Sequence, residues 1–187
     1  RCGAIARFAP VMPAIRDFAG AGGPVLGICN GFQILCEAHL LPGALLRNKS
    51  LKFHSFRANI RIDNAATLWT AALTPGDILR LPVAHGEGSY YADASTIARL
   101  ESSGQIVARY CDEDGTFSEA ANPNGSMGGI AAVCNAAGNV VGLMPHPERA
   151  TDPLLGSTDG LRLLRSILLL PTHGASSAPE IVGPLSR

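Results

Sequence analysis

Gly27-Ile28-Cys29-Asn30-Gly31 constrains this chain more than any other stretch. The apolar run Pro24-Val25-Leu26 leads into it, and a helical pattern through Phe32, Leu35 and Ala38 leaves it. Strand, sharp turn and helix form the context in which a nucleophile sits on a strained elbow, exposed above a sheet. Glycines are expected on both sides because a Cβ there would collide with the neighbouring strand and helix. The helix that follows points its free N–H groups and positive dipole end at the sulfur, which favours thiolate over thiol. Cys29 is therefore the candidate nucleophile. Cys2, Cys36, Cys111 and Cys134 read as buried structural thiols.

A thiolate of this kind needs a base. The candidate is His146, in Met144-Pro145-His146-Pro147-Glu148-Arg149, which follows the apolar run Val140-Val141-Gly142-Leu143. That places His146 just past the C-terminal end of a strand, where open α/β sheets build their sites. Glu148 lies two residues on and can turn back to hold the imidazole in one tautomer. The flanking prolines fix φ and stiffen the presentation.

The rest of the chain supplies the frame. Pro10 is placed to start a helix, Val11, Ile15 and Phe18 recur at helical spacing, and Gly20, Gly22 and Gly23 end it. The elbow helix runs to about His39. From Leu45 to Asp63 the pattern is extended, with Ile60 and Ile62 alternating about Arg61. Residues 78–83 form another strand and lead into His85-Gly86-Glu87-Gly88. A second His and Glu in a glycine-rich loop could be a rival triad. His85 has no nucleophile beside it, so His85 and Glu87 read as lining the site or facing a partner. Gln105 to Cys111 is a strand, with residues 112–115 as a turn. Residues 130–133 and 140–143 form a strand pair, and Thr158-Asp159-Gly160 opens a final helix to about Leu170.

These elements give a mostly parallel α/β sheet flanked by helices, with an antiparallel elaboration between the elbow and the His146 loop. Its single domain covers residues 1–171, and a Gly-, Ser-, Pro- and Ala-rich tail over 172–187 is expected to be mobile. Hydrophobic residues make up 47% and charged residues 16%, as suits a sheet covered on both faces. Lys+Arg and Asp+Glu are 15 each, so no basic excess points to nucleic acid or an anionic membrane. Five cysteines without a C-x-x-C argue against a disulfide framework and a zinc site, and for a reducing cytoplasm. No apolar run approaches the roughly 18 residues of a membrane span.

Residues 27–31 and Pro145-His146-Pro147-Glu148 together resemble the class I, triad-type glutamine amidotransferases. Within them the resemblance is closest to the glutaminase subunits of phosphoribosylformylglycinamidine synthase. Residues 27–35, 41–48 and 50–53, Pro82-Val83-Ala84-His85-Gly86-Glu87-Gly88, Asn122-Pro123-Asn124-Gly125-Ser126 and residues 155–160 carry it, in the family's order. The resemblance implies a flavodoxin-like fold and hydrolysis of L-glutamine to glutamate and ammonia by Cys29, His146 and Glu148. It implies that the Asn30 N–H serves the oxyanion, with Gly31 beside it, and that Gln33 helps hold the substrate. It implies no cofactor or metal in this chain, because ATP and magnesium are used by a synthetase subunit that receives the ammonia; a small bridging subunit is left open.

Two departures qualify the likeness. The chain starts at the segment that follows the family's first strands and their Pro-Gly-Gly loop, the source of the other oxyanion donor. Residues 127–130 carry Met-Gly-Gly-Ile where the family has a polar residue before the isoleucine. A few tens of further residues are therefore expected before Arg1. The rival readings are a stand-alone Cys-His hydrolase of the same fold and a truncated, non-catalytic docking subunit.

Overall fold

A computed structural model describes residues 2–169, with only the backbone at Cys2. The expected tail, 172–187, lies outside the described residues. The chain runs α1 (Cys2–Ala6), α2 (Met12–Gly20), β1 (Val25–Ile28), α3 (Asn30–Glu37), β2 (Ala44–Leu46), β3 (His54–Ile62), β4 (Ile78–His85), β5 (Ser89–Tyr91), α4 (Ala94–Ser102), β6 (Ile106–Cys111), β7 (Ile130–Cys134), β8 (Val140–Leu143) and α5 (Asp159–Leu164). A 3₁₀ turn, Arg165–Leu169, extends α5.

Six strands form one mixed sheet in the order β1-β8-β7-β6-β3-β4, and β2 pairs with β5 in a separate ribbon. The α/β class and the helical flanks are as the sequence led us to expect. The share of parallel pairing is not: β1 and β8 run parallel, and the other four pairings of the large sheet are antiparallel. The reason is local. A parallel pair needs a long crossover, and hairpin-like returns such as the β7–β8 turn allow only antiparallel neighbours. β1 lies at the end of this order and is paired on one edge among the described residues.

Two hydrophobic layers cover the sheet. One gathers Ile60, Ile62, Leu79, Leu81, Tyr110 and Leu143, and the other gathers Phe32, Leu35, Leu41, Tyr90, Leu100 and Val133. The parallel pair is built to receive α3. Gly27 and Gly142 are register partners. A Cβ on Gly142 would lie 2.0 Å from the Phe32 ring, and one on Gly27 would lie 2.7 Å from the backbone of Gly31. Both are far inside contact distance, so only glycine lets the elbow helix lie this close. Asn139 ties the assembly together: its Nδ2 donates to the carbonyls of Ala19 and Gly23, while its own carbonyl accepts from Val25 N.

Candidate active site

Cys29 sits between β1 and α3 with φ 51° and ψ −102°, a conformation that non-glycine residues seldom adopt. Its N–H donates to the Leu143 carbonyl at 2.8 Å, so the β1–β8 ladder continues into the turn and holds the strained residue. The side chain is buried, 7% exposed, with Sγ 3.9 Å from the Ala84 carbonyl at the end of β4. Strand ladder on one side and helix N-terminus on the other are the two features the elbow reading required.

His146 follows β8. Its N–H donates to Pro82 O at 2.8 Å, which pins the loop to β4. A 3₁₀ turn, Pro147–Arg149, then folds Glu148 back, and Glu148 Oε1 lies 2.6 Å from His146 Nδ1. The Arg149 guanidinium approaches the same oxygen at 3.4 Å. The first turn of α5 supports the loop through Leu161 N to Ala150 O. His146 Nε2 is buried and has no hydrogen-bond partner among the described residues.

A cavity of about 420 Å³ unites these groups. Cys29, Asn30, Gln33, His85, Glu87 and His146 line it, together with Phe53 and Arg149. Of the residues singled out in the sequence, Gly31 alone stands apart from both the lining and the hydrogen bonds of the cavity. Its backbone forms the surface against which Gly27 packs, and a Cβ there would meet no described atom. The collision that requires glycine is at Gly27.

The side chains of the His85 loop are more committed than expected. Gln33 Nε2 donates to the Glu87 carbonyl at 2.7 Å, tying α3 to that loop. Glu87 does not turn back to His85; its carboxylate lies 3.8 Å from Arg47 Nε. His85 Nδ1 lies 3.1 Å from Asn48 Oδ1. Burial, with His54 and His146 nearby, pushes the His85 pKa down to about 4. Burial pushes the Cys36 thiol up to about 12 and the Cys111 and Cys134 thiols up to about 11, which keeps them protonated at neutral pH.

Sequence reasoning missed Asn48 and Arg149 as parts of the site. Arg149 adjoins the Pro-His-Pro-Glu run and could have been found there. Asn48 gave no local signal because its partners in the cavity loop, His85 and Gly88, lie 37 and 40 residues away. Among the described residues no group of three or more His, Cys, Asp or Glu side chains is placed to hold a metal ion, and no helix is long and apolar enough to cross a membrane.

Fold and site define a class, and the chain belongs to the CobB/CobQ-like glutamine amidotransferase family, whose model matches residues 3–163. Narrower likenesses follow. The chain is 60% identical over 168 residues to the phosphoribosylformylglycinamidine synthase subunit PurQ of Rubrobacter xylanophilus, covering 90% of this chain and 72% of that one. It is 60% identical over 177 residues to the PurQ subunit of Thermomicrobium roseum, covering 95% and 75%. Among solved structures it is similar to PurLQS from Thermotoga maritima, with TM-score 0.77, 40% identity and coverage of 90% and 71%. A Thermotoga maritima glutamine amidotransferase at 20% identity and TM-score 0.52, covering 83% and 65%, shares the fold.

Proposed function

We propose that this chain is the glutaminase subunit of a phosphoribosylformylglycinamidine synthase, acting in purine biosynthesis in the cytoplasm. It hydrolyses L-glutamine and passes the ammonia to an ATP- and magnesium-using synthetase subunit. The observation that carries the reading is the convergence in one cavity of Cys29, on its strained turn, with the His146–Glu148 pair. The likeness to PurQ relatives supports the pathway and the partner.

In this reading His146 Nε2 takes the Cys29 proton, and the thiolate attacks the side-chain carbonyl carbon of glutamine. The buried, unpartnered state of Nε2 leaves it free for that proton. Glu148 holds Nδ1 and stabilises the imidazolium. The Asn30 N–H, in the first turn of α3, donates to the developing oxyanion. Collapse of the tetrahedral intermediate breaks the C–N bond, and His146 returns its proton to the departing nitrogen. Water then cleaves the glutamyl thioester, with His146 as base, and releases glutamate.

The test is glutamate release from glutamine, measured with and without the synthetase subunit. Release that rises on assembly supports the reading. No release from the assembled complex overturns it.

A further inference from the structure

Asn48, in the loop after β2, is wholly buried. Its carboxamide makes four hydrogen bonds. Nδ2 donates to Lys52 O at 2.8 Å and to His85 O at 2.9 Å. Oδ1 accepts from Gly88 N at 3.0 Å and lies 3.1 Å from His85 Nδ1. The Asn48 N–H adds a bond to Gly86 O at 3.0 Å. One side chain thus grips both ends of the His85–Gly88 loop that lines the cavity.

These bonds also place a proton. The two carbonyl partners decide which end of the amide is nitrogen. Oδ1 carries no hydrogen, so His85 Nδ1 must be the donor. A neutral imidazole protonated at Nδ1 has a bare lone pair at Nε2. The ring is held neutral by burial and by His54 and His146. Nε2 is buried and has no hydrogen-bond partner among the described residues. An unpaired buried acceptor carries a desolvation cost that a bound donor would remove.

We propose that Asn48 is a positioning residue that locks His85 in the Nδ1–H tautomer, so that His85 Nε2 accepts a hydrogen bond from the side-chain amide N–H of the glutamine bound in the cavity. The proposal rests on the glutaminase reading and adds to it a histidine that never carries the catalytic proton. Its partner is a donor. The acceptor-only carboxylate formed from the substrate amide offers Nε2 nothing, so the same lone pair helps set glutamine apart from glutamate.

The test uses the assembled synthetase complex with ¹⁵N-labelled histidine in this chain. His85 should show a protonated Nδ1 and an unprotonated Nε2. In the Cys29→Ala complex, saturating glutamine should move the Nε2 resonance in the direction of an accepted hydrogen bond. In kinetics, His85→Leu, which keeps bulk and removes the acceptor, should raise KM for glutamine about tenfold, the size of one hydrogen bond, with kcat changed less. His85→Gln, which can offer an amide oxygen, should recover part of that loss. Asn48→Ala should raise KM and yield a mixture of His85 tautomers. A wild-type Nε2–H tautomer, an Nε2 resonance indifferent to glutamine, or His85→Gln no better than His85→Leu would overturn the proposal. Failure of the wild-type complex to release glutamate would instead overturn the glutaminase reading, while the tautomer is read regardless of turnover.

Discussion

Two His-x-Glu segments meet in one cavity and are treated in opposite ways. His85-Gly86-Glu87 and His146-Pro147-Glu148 have the same spacing, and both histidines leave Nε2 buried without a partner among the described residues. At His146 the downstream carboxylate folds back to Nδ1 at 2.6 Å, a short bond to an acceptor that can carry charge. At His85 the carboxylate turns to Arg47, and a neutral amide oxygen stands at 3.1 Å instead. A carboxylate partner stabilises an imidazolium, whereas an amide oxygen amid burial does not. Identical spacing thus yields one ring suited to carrying a proton and one suited to staying neutral. The difference lies in the chain between them: Pro147 starts a tight 3₁₀ turn, while the Gly86 loop is gripped by Asn48.

The largest effect should come from the thiol that lines the cavity with both histidines. Cys29→Ala should remove glutamine-dependent synthesis by the complex, on the order of 10⁴–10⁶-fold for loss of a nucleophile. Ammonia-dependent synthesis by the partner should survive. Loss of both activities would end the division of labour between subunits. Next in size, His146→Ala should slow acylation of Cys29 by ~10²–10⁴-fold, the contribution of a general base. Rapid quench of the thioester measures it. If His85→Ala slowed acylation as much, the two rings would not differ as described.

Glu148→Gln sharpens the comparison because it makes His146 resemble His85. Shape and an acceptor oxygen remain while the charge goes. We expect a fall in kcat of about 10²-fold, smaller than for a fully buried carboxylate because 43% of the Glu148 side chain is exposed and water screens it. An unchanged kcat would reduce Glu148 to a spacer.

Much of this was legible in the sequence, and the boundary is physical. The elbow was readable because strand, glycine-flanked cysteine and helix are contiguous, so local chemistry decides the turn. The β7–β8 pair was readable for the same reason, since residues 135–139 form a turn between two apolar runs. Helix α4 was missed although Asp93 caps it by accepting from Thr96 N. Its mean hydropathy is low, and Ile97 and Leu100 are its only large apolar residues, so too few positions mark it as a helix that packs. Helix α2 begins at Met12 rather than Pro10, with Pro13 in its first turn. The direction of the sheet was misjudged because apolar runs do not encode their partners. Nothing in Ile130–Cys134 says that its other neighbour is β6. The roles of Asn48 and Glu87 were hidden for the same reason: contacts across 37 residues or more are properties of the fold.

The smallest effect is on stability, and it isolates His85. Its pKa is lowered from 6.5 to about 4, so the folded chain resists a proton that the unfolded chain accepts. Well above pH 6.5 both states are neutral at this position and stability does not change. As pH falls through the window between 6.5 and 4, the unfolded state binds more protons and stability drops. The slope grows toward 1.36 kcal/mol for each pH unit as the unfolded imidazole charges, so the fall from pH 6.5 to 5 is about 1.5 kcal/mol. Carboxylates and the other histidines add their own slopes, but His85→Leu shares them. Wild type should therefore lose more stability than His85→Leu over this range, by about that amount, in paired denaturation curves at pH 6.5 and 5. Parallel losses would show that His85 takes up a proton in the folded state, and the contrast between the two imidazoles would disappear.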